Sequence, residues 1–224
     1  MRKPSRILLI AAFILAPVIC FGQVEISPQS REVRPNKSGE AAGNLYLKND
    51  DAKPWAWTVE PQTFSVDEWG NNLPASLKKA GIRLELSESS GSLPAKSRRL
   101  VSYRITCKTT CWLALNVSFS QPQIRAAETV GVAIGMQHII YVASEPLHRN
   151  DIYLSQTGLD ELKITNTGPG LGRLVSLKVG DREVNGFLLF PNSSRRVYLE
   201  GAEDRPIVAR FAEFSVSLGE THWF

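Results

Sequence analysis

Residues 128–146 read ETVGVAIGMQHIIYVASEP, and nothing between Glu128 and Glu145 carries a formal charge. A run of this kind suits a membrane span, a buried strand, or a strand intended for another molecule. Val130, Val132, Ile134 and Met136 alternate with Gly131, Ala133 and Gly135. In a regular strand side chains alternate between faces, so one row is bulky and the other small. Small residues bury little apolar area, so the bulky row either fills the sandwich's own core or is offered outward to a partner, and the pattern alone does not decide which face points out.

The chain's beginning bears on its compartment. Arg2, Lys3 and Arg6 precede ILLIAAFILAPVICF, and Gly22 offers a small residue at a cleavage point before Gln23. Residues 1–22 thus read as a cleaved secretory signal peptide. A lipoprotein site at Cys20 would want a small residue where Ile19 stands. The whole chain holds 26 Lys and Arg against 22 Asp and Glu, and three of the basic residues lie in the signal. The remainder is nearly neutral and carries no field for nucleic acid. It has no other apolar run of spanning length, so no membrane insertion is expected.

Three cysteines are present, and the pair left after the signal is spaced CKTTC, Cys107 and Cys111. In an oxidising compartment a local disulfide stapling a hairpin turn is expected. A metal reading would need further ligands nearby, and a redox reading the CxxC spacing. The histidines, His138, His148 and His222, are dispersed, and no nucleophile elbow or phosphate-binding loop is visible. The expectation is no enzyme, no catalytic residues, no metal and no cofactor.

Period-two patterning runs almost throughout. KPWAWTVEPQTFSV sets Trp55, Trp57 and Val59 on one face, and turn signals recur at NDD, WGNN, SSGSLP, KTT and SQP. About seven strands precede residue 144, with PASLKKAG as a marginal helical pattern, and shorter strands restart after residue 150. The fold class is therefore all-β, two tandem immunoglobulin-like β-sandwich domains. Their boundaries are read as 23–144 and 151–224, with a hinge at 145–150, and no internal repeat is evident.

In order along the chain, VEISPQSREVRPNKSGE, NLYLKND, KPWAWTVEPQTFSVDEWG, SLPAKSRRLVSYRI, ITNTGPG and LLFPNSSRRV resemble the periplasmic chaperones of chaperone–usher pili, the PapD and FimC family. The resemblance covers essentially the whole mature chain. It implies a periplasmic protein that binds pilus subunits by lending them its seventh strand and delivers them to an outer-membrane usher. Val130, Val132, Ile134 and Met136 stand in that donor strand. A self-capping homodimer would cover the strand in the free protein.

The family grips the subunit's terminal carboxylate with a first-strand arginine, here Arg31, and a lysine late in the seventh strand. His138 stands in the lysine's place. An imidazole of ordinary pKa is mostly neutral at pH 7 and offers one hydrogen bond rather than a full charge. The readings open are a working variant site, compensation by Arg125 or Arg149, a relative that binds differently, or a histidine with no binding role. The other function class is an exported immunoglobulin-like adhesion or structural protein that does not cap subunits.

Overall fold

The computed structural model describes residues 24–121, 132–200 and 205–217. The signal-peptide reading, Val130, Arg125 and His222 lie outside them. The described chain is nearly all strand, with one 3-10 turn at Arg149–Asp151. PASLKKAG forms a turn, closed by Ile82 N–H donating to the Leu77 carbonyl at 3.0 Å.

The first sandwich has ten strands: β1 (Val24–Ser27), β2 (Ser30–Val33), β3 (Glu40–Asn49), β4 (Trp55–Val66), β5 (Asn72–Ala75), β6 (Arg83–Leu86), β7 (Ser90–Leu93), β8 (Ser97–Thr106), β9 (Cys111–Ser120) and β10 (Ala133–Val142). One sheet is ordered β1-β3-β8-β6 and the other β2-β10-β9-β4-β5, with β7 on β4. Trp55, Trp57 and Val59 are all buried, as their spacing predicts. With Leu45, Leu47, Val101, Ile105, Leu113, Leu115, Val117 and Phe119 they build the core. Full burial of one such side chain is worth roughly 1.5–3 kcal/mol. Cys107 and Cys111 are disulfide-bonded across the β8–β9 turn.

The opening strand serves both sheets. β1 pairs with β3, the chain then crosses at Pro28 after a cis bond, and β2 pairs with the last four residues of β10. Proline lacks the N–H a ladder needs, which suits it to the crossing.

The second sandwich comprises β11 (Ile152–Gly158), β12 (Glu161–Asn166), β13 (Gly172–Val179), β14 (Arg182–Asn185), β15 (Leu188–Leu189), β16 (Ser193–Tyr198), β17 (Ile207–Phe211) and β18 (Ser215–Ser217). Its own core gathers Ile152, Leu154, Leu162, Ile164, Leu177, Ala209 and Phe211. Phe190 leaves it to meet Trp112, Phe64 and Tyr141 of the first sandwich, at centroid distances of 4.5, 5.9 and 6.2 Å. Arg196 adds an ion pair to Glu68 at 2.9 Å.

One structural device recurs in the two sandwiches. Asn49 ends β3 and Asn166 ends β12, both fully buried. Asn49 Nδ2 donates to the carbonyls of Lys53, Leu93 and Pro94, while Oδ1 accepts from Asp51 N–H. Asn166 Nδ2 donates to Gly170, Leu189 and Phe190, while Oδ1 accepts from Gly168 N–H. The local spacings, two and four residues on, are identical, and in each case the distant partners are two consecutive residues. Even the facing turn repeats: Lys96 and Asn192 hold positive φ, and Ser97 and Ser193 hydroxyls donate back to Pro94 and Phe190 carbonyls. Each sandwich is thus pinned at one corner by a buried amide that ties backbone groups of two distant chain segments together.

Candidate functional site: the free edge of β10 and the Arg31–His138 corner

Strand β10 pairs with β9 along its whole length, from Ala133↔Ser120 to Val142↔Cys111. On its other side β2 covers only Ile139–Val142. Among the described residues, Ala133–His138 therefore has an uncovered edge. Ile139 N–H donates to Gln29 O at 2.9 Å and Ala143 N–H to Val33 O at 3.1 Å, so odd-numbered residues turn their backbone groups away from β9. By the alternation of an antiparallel ladder, the free N–H and C=O groups belong to Ala133, Gly135 and Gln137.

The structure assigns the side-chain rows to faces, the small row outward and the bulky row inward. Ala133, Gly135 and Gln137 are exposed on the outer face, and a Cβ at Gly135 would meet nothing within 4 Å. Ile134 and Met136 are half-buried against the core, in the same row as buried His138, Ile140 and Val142. Val132, just before the strand, is 48% exposed. The bulky row thus faces inward but sits at an open rim of the sandwich. A strand added at this edge would extend the sheet, and Ile134 and Met136 would then lie on the inner face of both bodies.

His138 is fully buried. Its Nδ1 lies 2.6 Å from the Pro28 carbonyl and its Nε2 3.4 Å from the Tyr103 hydroxyl. A carbonyl only accepts, so Nδ1 carries the proton and Nε2 accepts from Tyr103. Gly43 makes room: a Cβ there would stand 2.3 Å from the Tyr103 hydroxyl. Burial lowers the His138 pKa, the Arg31 charge lowers it further, and the Pro28 hydrogen bond only partly opposes them. The ring is therefore neutral and ties the sheet crossing at Pro28 to β10.

The sign of the resulting pH dependence is fixed. The folded-state pKa lies below the unfolded 6.5, so the unfolded chain takes up the proton first as pH falls. Stability contributed by neutral His138 is complete above pH 6.5 and declines below it, by at most about 1.4 kcal/mol per pH unit. The urea midpoint of the first sandwich should fall between pH 6.5 and pH 5. In His138→Gln that portion of the slope should vanish; an unchanged slope would place the titration elsewhere.

Arg31 sits on β2 opposite Ile140 and is exposed. It lines a groove of about 530 Å³ with Gly43, Asn44, Leu86, Tyr103 and Arg104. The structure thus brings Arg31 and His138 to one corner, with only Arg31 reaching solvent. Sequence reasoning missed Tyr103 and Pro28 because His138 and Pro28 are 110 residues apart. Arg149, considered as a compensating cation, lies in the 3-10 turn that leads into β11.

No protein-family model and no curated protein sequence matches this chain. Solved structures do. The Salmonella enterica SafA pilin in complex with the SafB chaperone gives 14% identity and a TM-score of 0.59, covering 87% of this chain and 92% of the other. The E. coli chaperone DraB gives 15% and 0.57, covering 87% and 95%. The class 5 fimbriae chaperone CfaA gives 12% and 0.62, covering 87% and 97%. Likeness at this identity is a likeness of architecture, and it is consistent over both sandwiches: the chain has the two-domain, immunoglobulin-like fold of the PapD-like periplasmic chaperones.

Proposed function

We propose that this protein is a periplasmic chaperone of pilus assembly that captures subunits by lending them the free edge of β10 and passes them to an outer-membrane usher. The observation that carries the reading is the edge itself. Ala133, Gly135 and Gln137 turn backbone donors and acceptors outward, beside a half-covered apolar row of Val132, Ile134 and Met136. Main-chain bonds of an added strand give affinity, and alternate side chains filling pockets give register. Structures of the same fold that hold a pilin or a tip subunit in complex support the reading.

In this scheme the two domains run over 23–144 and 151–224, about a hinge at 145–150. Arg31 supplies the charge for the subunit's terminal carboxylate, to which a guanidinium can bond in bidentate fashion. His138 acts on that carboxylate through the fold: by holding Pro28 it fixes the start of β2 and so the position of Arg31. No nucleotide or metal takes part, because the energy comes from strand pairing.

The test is periplasmic co-expression with a pilin subunit from the neighbouring gene, followed by size exclusion. The wild type should elute as a soluble one-to-one complex. Arg31→Ala should weaken it about tenfold to a hundredfold, the range for removing one partner of a charged hydrogen-bonded pair. A wild type that leaves the subunit to aggregate would overturn the reading.

A further inference from the structure

The outer face of the second sheet carries a chain of side-chain amides leading to the free edge. Gln62 lies on β4, Asn116 on β9 and Gln137 on β10, with Asn116 and Gln137 directly paired. Asn116 Nδ2 donates to Gln62 Oε1 at 3.4 Å, and Gln137 Nε2 donates to Asn116 Oδ1 at 2.8 Å. Each nitrogen points toward β4, so the chain runs in one direction. Its last acceptor, Gln137 Oε1, has no partner among the described residues.

Gln137 also supplies free backbone groups on that edge. This matters for register. A docked strand that slips by one residue turns its apolar row to the wrong face and is rejected by the core. A slip of two residues keeps the faces correct, so the bulky row discriminates against it poorly. On the outer row of the free edge, Ala133 and Gly135 carry no side-chain polar atom, and Gln137 does. It breaks the two-residue degeneracy.

We propose that Gln137 is a specificity-determining residue: the strand received on β10 places an uncharged hydrogen-bond donor, Ser, Thr, Asn or Gln, beside it on the outer face, continuing the amide chain. Stacked Asn and Gln ladders add to strand association in the same manner, and chained hydrogen bonds polarise one another. The inference rests on β10 receiving a strand, as proposed above.

The experiment uses full-length protein co-expressed with the pilin subunit from the neighbouring gene. Ala133→Cys serves as a disulfide trap against cysteines scanned along the subunit's edge strand. With Gln137 in place, one subunit position should dominate. In Gln137→Leu, which keeps most of the bulk but cannot accept, affinity should fall about tenfold. Cross-links should then spread to positions two residues apart, with the melting temperature of the free protein unchanged. Should the leucine variant fold poorly, Gln137→Ala gives the same two readouts. Capture by the wild type with unchanged affinity and a single register in both variants would overturn the inference alone. No capture by the wild type would sink the function and the inference together.

Discussion

Replacing Gly135 by proline is expected to leave the free protein folded and to abolish subunit capture. Odd residues of β10 point their backbone groups away from β9. Proline at 135 therefore deletes an N–H from the free edge and none from the ladder that holds the sandwich together. A Cβ there meets nothing within 4 Å. Proline is tolerated on edge strands for this reason and is excluded from central ones. A strand arriving at the edge loses a central hydrogen bond and meets the ring where it must approach. Affinity should fall about a hundredfold, or about 2.7 kcal/mol. Met136→Pro is the contrast: residue 136 pairs with Val117 and bonds toward β9, so this variant should unfold the first sandwich. Circular dichroism for folding and size exclusion for capture separate the two. Gly135→Pro that still captures at full affinity would mean the subunit binds elsewhere.

The second large effect concerns the duplicated asparagine. Asn49→Ala removes a donor from the carbonyls of Lys53 and Leu93 and the acceptor of the Asp51 N–H, and leaves the Pro94 carbonyl with the Ser97 hydroxyl. Buried polar groups left unpaired cost about 1–3 kcal/mol each, softened by whatever water enters. A loss of about 3–4 kcal/mol, a large part of a domain's total stability, is expected. Asn166→Ala should do the same to the second sandwich through Gly170, Leu189, Phe190 and Gly168. Two-probe urea unfolding, one reporter per sandwich, should show each variant moving mainly its own midpoint. The Asn166 variant has a further signature, because Phe190 is also the residue packed on Trp112 and Tyr141. Trp112 fluorescence should respond to Asn166→Ala although the two residues lie in different sandwiches. Equal shifts of both midpoints in both variants would show instead that the sandwiches unfold as one unit.

Strand content was legible wherever period two met bulky residues. Trp55, Trp57 and Val59 declare their face without help. In residues 132–136 the same periodicity separates the rows correctly but does not tell which row faces in, because that depends on the opposite sheet. The small row is outside since Ile134 and Met136 continue the line of His138, Ile140 and Val142 into the core. His138 was legible as a departure from the lysine of the family the sequence resembles, and its burial was not: Pro28 and Tyr103 come to it from distant strands. The repeated corner escaped notice for a different reason. What Lys96 and Asn192 share is a backbone conformation, which residue identity records poorly.

The parallel pairing of β2 with β10 bears on the order of synthesis. β2 is synthesised before its partner, which follows more than a hundred residues later, as the 110-residue separation of Pro28 and His138 marks. Until β10 emerges, Arg31 has no seat and the second sheet has no strand between β2 and β9. The free edge of β10 is therefore the last part of its sandwich to exist. A nascent chain cannot offer it prematurely, and the sticky surface appears only on a body whose other strands are already available to anchor it.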